Sequence, residues 1–145
     1  MDAGQHAGGV DPRTRLLDEH HGLVKTSELL AVGEDTEMLR WAQGYGVLIH
    51  VRQGWWARPG TPAPLLQAWR AGGRLACVSA LAFHGETLDI TGPLHIEIPA
   101  RGHGAVLPGF VVHWASDQRN GDRRAVSVEV ARGQASRCRV ANGTL

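Results

Sequence analysis

Residues 46–60 read GVLIHVRQGWWARPG, and the fold of the first half of the chain turns on them. Val47-Leu48-Ile49-His50-Val51 is apolar and rich in β-branched residues, which suits an extended strand. Arg52-Gln53-Gly54 has the composition of a turn, and Trp55-Trp56-Ala57 brings the chain back as a second strand. Pro59-Gly60-Thr61-Pro62 closes the unit. Towards the N-terminus, Gly46 breaks a helix that Asp35 or Thr36 caps and that runs to about Gly44. Met38, Leu39 and Ala42 are its expected buried side, at three- and four-residue spacing. Before it, Thr26 or Ser27 opens a helix that turns Leu29, Leu30 and Val32 inward and stops at Gly33. Leu23 to Lys25 is a short extended link. The earliest helix starts with Asp11 as cap and Pro12 as first helical residue, carries Leu16 and Leu17, and ends near His20. Three short helices followed by a two-stranded hairpin are the parts of a winged helix-turn-helix, here residues 11–60. Residues 1–10 are expected to be a flexible N-terminus.

The second half changes character. A helix is expected from about Pro62 to Ala71, carrying Leu65, Leu66, Ala68 and Trp69 and ended by Gly72-Gly73. Leu75 to Val78 leads into a short helix capped by Ser79 and stopped by Gly85. Leu94-His95-Ile96-Glu97-Ile98 alternates apolar and polar residues, so it reads as a half-buried strand with His95 and Glu97 facing out. Phe110 to Trp114 is a second such strand, with His113 at a polar position; outward polar faces are the rule for such strands, and a catalytic or metal reading of His95, Glu97 and His113 is the less favoured alternative. Asp117 to Arg124 is a polar loop and Ala125-Val126 a short strand. Ser127 caps a last helix to about Cys138, and residues 140–145 form a tail. The fold class is therefore α+β, an N-terminal winged helix-turn-helix followed by a small mixed α/β domain at 61–139.

Composition narrows the function classes. Of 145 residues, 43% are hydrophobic and 20% charged, which supports a buried core. No apolar run approaches the roughly 18–20 residues of a membrane span, and no signal-peptide core precedes Val10, so a soluble cytoplasmic protein without membrane partners is expected. A net charge of +1 excludes a histone-like binder but not a DNA reader with a local basic face. Lys25 is the one lysine; the arginine bias fits phosphate and guanine recognition, and fits a high-GC genome better. Cys77 and Cys138 have no partners at the local spacings of a zinc motif and read as small buried hydrophobes, so no metal ligand and no cofactor is assigned. No nucleophile elbow, phosphate-binding Gly-x-x-x-x-Gly-Lys or His-Glu-x-x-His is present, so no catalytic residue is assigned and the chain is read as a non-enzyme.

The ordered stretches LLDEHHGLVKTSELLAVG and GVLIHVRQGWWARPG resemble the N-terminal winged helix of AbiEi-like type IV toxin–antitoxin antitoxins, a family common in actinobacteria. In the wing, Gly46, Leu48, Val51, Gly54 and Trp56 follow the family order, with tryptophan in place of its usual tyrosine. CVSALAFHG, LHIEIPARGH, FVVHWA and AVSVEVARGQASRC resemble the following helix, strand–loop–strand and helix. The resemblance covers about Leu16 to Cys138. It implies a DNA-binding repressor that regulates its own operon, with double-stranded operator DNA and a cognate toxin as partners. Longer relatives continue into further domains, sometimes a Vsr-like nuclease. Where the family places several arginines on its third helix, this chain has the acids Glu34, Asp35 and Glu37 and a single Arg40.

Within that frame the third helix enters the major groove. Arg40 is placed to read guanine, Gln43 adenine, and Thr36 to hold a phosphate with the helix amides. Arg52, Gln53, His50 and Arg58 would bring the wing to phosphates or a minor groove, and Lys25 and Thr26 would clamp the backbone from the second helix. The Arg101–Gly104 loop is a further basic contact or a plain turn. One of Trp55 and Trp56 should be core, Trp41 should pack on the wing in preference to stacking on sugar and phosphate, and Trp69 and Trp114 should be core or interdomain packing. A homodimer, or paired monomers on a palindrome, is expected. The alternatives are a non-catalytic module docking a toxin or other partner, and a remnant of a nuclease-type protein.

Overall fold

The computed structural model describes residues 11–88, 91–99, 108–115 and 117–139. The segments expected to be tails and the Arg101–Gly104 loop lie outside the described residues. The architecture is mixed α+β, in two units, residues 1–61 and 62–145. No helix among the described residues is long and apolar enough to cross a membrane.

The first unit runs α1 (Pro12–Glu19), β1 (Leu23–Lys25), α2 (Thr26–Ala31), α3 (Thr36–Gly44), β2 (Ile49–Arg52) and β3 (Trp55–Ala57). Local chemistry sets the helix starts. The Asp11 carboxylate accepts from the Thr14 amide and that of Asp35 from the Met38 amide, both at 2.8 Å. The link expected at Leu23–Lys25 is a strand. It pairs antiparallel with β3 and completes a three-stranded sheet in the order β1-β3-β2. The helices and sheet close over Leu16, Leu17, Val24, Leu29, Leu39, Ala42, Leu48 and Trp56. Of the expected inward residues, Leu30, Val32 and Met38 are instead exposed. The helical period explains this. Leu29 and Leu30 are adjacent on a helix of 6 residues and so point about 100° apart, which turns only Leu29 fully inward, while Val32 lies past the helix end. Met38 falls on the edge of the Leu39–Ala42 face.

The second unit runs α4 (Ala63–Arg70), β4 (Arg74–Leu75), α5 (Cys77–Phe83), β5 (Leu94–Pro99), β6 (Phe110–Ala115) and α6 (Val128–Arg137). Its sheet has the order β4-β5-β6, with β5 antiparallel to β4 and parallel to β6. Gly73 passes so close to β5 that a Cβ there would stand 2.5 Å from the Glu97 carbonyl oxygen. Ala125 bridges to Leu75. Ser127 caps α6 by accepting from the Val130 amide. Ser79 is not a cap: α5 begins at Cys77, and the Ser79 hydroxyl oxygen accepts from the His95 amide at 2.8 Å.

Two further expectations for this unit are corrected. His95 and Glu97 do not face solvent; they are 4% and 1% exposed. β5 is the central strand, and α6 reaches the face that carries them, with Gln134 near Glu97 and Cys138 near His95. Trp114 is exposed on the edge strand β6, whereas Trp69 is buried and donates its indole N–H to the Arg123 carbonyl at 3.0 Å.

Candidate functional site

In the first unit, Trp55 sits on the central strand with Lys25 in register on one side and Arg52 on the other. The Lys25 ammonium lies 5.5 Å and the Arg52 guanidinium 5.7 Å from its ring centre. Both distances are in the range of cation–π attraction. A β-bulge between His50 and Arg52 makes this possible, because it brings Arg52 rather than the buried Val51 opposite Trp55. Gly54 holds the turn at φ +85°, where a side chain would be strained. Its carbonyl accepts from the Thr26 amide at 2.9 Å, which ties the start of α2 to the hairpin tip. Sheet register thus gathers two cations on one aromatic platform.

The other sequence-chosen residues are distributed differently. Arg40, Gln43 and Thr36 are exposed on α3, and Gln53 is exposed at the hairpin turn. The Asp35 carboxylate already occupies the start of α3 beside Thr36. The Thr26 hydroxyl oxygen accepts from the Trp56 indole at 2.8 Å, so it fastens the hairpin. His50 lies against the Trp56 ring with centroids 4.7 Å apart. Arg58 is paired with Asp18 at 2.7 Å. Trp41 does not pack on the hairpin. It stacks on Tyr45 at 5.2 Å, and with Met38 and Val47 the two line an open apolar groove beside α3.

No known family model matches the sequence, and no curated protein matches it.

The second unit holds a polar centre of another kind. Arg74 and Glu97 are cross-strand neighbours, buried, with the guanidinium Nε donating to the carboxylate at 3.0 Å. Gln118 and Gln134 donate to the same carboxylate. Arg74 also donates to the carbonyls of Asn120, Asp122 and Gln118, pinning the 117–124 loop from inside. This satisfies the buried charges, as their desolvation demands.

Beside the ion pair, Cys77, His95, His113 and Cys138 converge, with one ligand atom from each lying within 4.8 Å of the others. His95 Nδ1 is 3.3 Å from His113 Nε2, and Cys138 Sγ is 3.9 Å from both nitrogens. Burial pushes the Cys77 thiol up to about 12, opposed by a hydrogen bond from the Val78 amide and reinforced by Cys138. Burial takes His95 down to about 4, with a contribution from the charge of His113; His113 is lowered by burial too. Both imidazoles are therefore neutral at pH 7, with nitrogen lone pairs available. In the sequence these residues are scattered, because each comes from a different part of the unit: the start of α5, β5, β6 and the end of α6. The only local signal was a histidine at a polar position in each of two strands.

Proposed function

We propose that the chain is a DNA-binding regulator whose first unit works as a winged helix-turn-helix. The observation that carries this reading is the cationic platform on the hairpin, Lys25 and Arg52 flanking Trp55. It is supported by the order of three helices and a β1-β3-β2 sheet, in which α3 precedes the hairpin and leaves Arg40 and Gln43 exposed. In this reading Lys25 and Arg52 neutralise phosphates, Arg40 reads guanine through its fork, and Gln43 contacts a neighbouring base. The resemblance to AbiEi-like antitoxins makes the target its own operator, bound in the cytoplasm by a pair of chains, with a toxin as the protein partner. The second unit would carry that protein contact.

The test is retardation of a duplex from the region upstream of its own gene, at two salt concentrations. Binding should weaken steeply with salt, and Arg52→Ala and Arg40→Ala should each lower affinity about tenfold. Absence of retardation, or binding indifferent to both substitutions, would overturn the reading.

One observation favours a second reading. Met38 and Trp41 on α3, and Tyr45 at its end, are exposed, where a DNA-reading helix gains more from polar groups. On that reading α3 docks an apolar surface of a protein partner. Trp41→Ala would then abolish co-purification of that partner, while DNA retardation would be missing from the outset.

A further inference from the structure

We propose that Cys77, His95, His113 and Cys138 form a mononuclear structural zinc site in the second unit. The four residues supply two sulfurs and two imidazole nitrogens, a ligand set that zinc takes up as a tetrahedron. The spacing fits. Zinc–nitrogen bonds of about 2.0–2.1 Å and zinc–sulfur bonds of about 2.3 Å imply tetrahedral edges of roughly 3.3 Å between nitrogens and 3.6 Å between nitrogen and sulfur. The protein holds its nitrogens 3.3 Å apart and Cys138 Sγ 3.9 Å from each. These three donors need only a few tenths of an ångström of adjustment to share a cation, and Cys77 Sγ, within 4.8 Å of them, has at most about 1 Å to close. A two-iron cluster with the same ligand types would place its nitrogen pair and its sulfur pair on different irons. The gathering of all four atoms within 4.8 Å selects a single ion.

The surroundings suit a structural ion. Four protein ligands fill the tetrahedron and leave no position for a substrate or water. Three of the four residues are buried and His113 is half-buried. The backbones that carry the ligands are fixed: the Cys77 amide donates to Gln134 Oε1 at 2.9 Å and the His95 amide to Ser79 Oγ at 2.8 Å. Cys77 also holds φ at +53°, a costly conformation for a residue with a side chain. Binding exchanges charge without accumulating it. Two thiols become two zinc-bound thiolates, two protons leave to solvent, and the imidazoles bind as neutral donors. The site with its Zn²⁺ is therefore neutral overall, which a buried position requires. The ion would join α5, β5, β6 and the end of α6 at one point. Nothing in this inference depends on the DNA reading of the first unit.

The experiment uses the full chain, purified without chelator, with zinc measured per chain. About one zinc per chain is expected. Replacing it with Co²⁺ should give the intense visible bands of tetrahedral cobalt and a thiolate-to-cobalt charge-transfer band in the near ultraviolet. Cys138→Ser should weaken the charge-transfer band, and His113→Gln should lower metal content at least tenfold, while His50→Gln should retain the full zinc stoichiometry. The wild-type cobalt spectrum keeps the test decisive even where a ligand variant fails to fold. A pale, octahedral cobalt spectrum would overturn the proposal. So would a metal-free wild type that stays so on adding Zn²⁺ under reducing conditions, or full metal content in both ligand variants.

Discussion

The two units put their charges in opposite places. In the first, the interior is a cluster of leucines, valine, alanine and one tryptophan, and the cations Lys25 and Arg52 stand outside on Trp55. In the second, Arg74, Glu97 and His95 are inside, on the paired strands β4 and β5. An apolar interior is non-directional and tolerates imprecise packing at modest cost. A polar interior has to satisfy every donor and acceptor, because an orphaned buried charge costs more than a void. The first unit should therefore fail by cavity formation and the second by loss of a partner.

The largest effect that would test this contrast is in the second unit. Glu97→Ala leaves the Arg74 guanidinium buried without its carboxylate and should cost about 3–5 kcal/mol in urea denaturation. The double variant Arg74→Met, Glu97→Met should recover only part of that, because the carbonyls of Gln118, Asn120 and Asp122 lose their donor. Full recovery would mean that the interior of the second unit is ordinary packing, and the contrast would break. In the first unit, Leu29→Ala opens a cavity at a fully buried side chain and should cost about 3 kcal/mol, whereas Leu30→Ala, at an exposed site, should cost less than about 0.5 kcal/mol.

The smallest effect sharpens the comparison at a helix end. Asp11→Ala removes the cap of α1 and should cost about 1 kcal/mol at neutral pH. The hydrogen bond from the Thr14 amide lowers the Asp11 carboxyl below its ordinary value of 3.8. The folded state thus favours the ionised form. Its stabilising contribution is complete above that ordinary value and fades as pH falls through the depressed one. The difference between wild type and variant, followed by thermal melts, should shrink below pH 3.8.

What the sequence could reveal was local. Caps at Asp11, Asp35 and Ser127, the Leu39–Ala42 face and the strands at Leu94–Ile98 and Phe110–Trp114 depend on neighbours a few residues away, and they were legible. Leu23–Lys25 does not read as a strand, because its pairing with Trp55–Ala57 lies across two helices and a strand. His95 and Glu97 read as outward because alternation marks two faces of a strand without saying whether a helix covers the polar one. The two cysteines and two histidines carry no motif spacing at all; sheet pairing and the return of α6 assemble them. Lys25 and Arg52 were each legible as cations. Their meeting on Trp55 depended on a register shift that composition does not encode.

Position 74 also bears on the chain's near-exclusive use of arginine over lysine. A mutational bias towards GC-rich codons would spread arginine wherever a positive charge is tolerated, without regard to shape. Here all three side-chain nitrogens are engaged, on one carboxylate and three carbonyls that lie in different directions. A lysine would keep the charge but present it at a single point on a flexible stem, leaving most of those oxygens unanswered. At this site the codon is held by geometry, whatever filled the others.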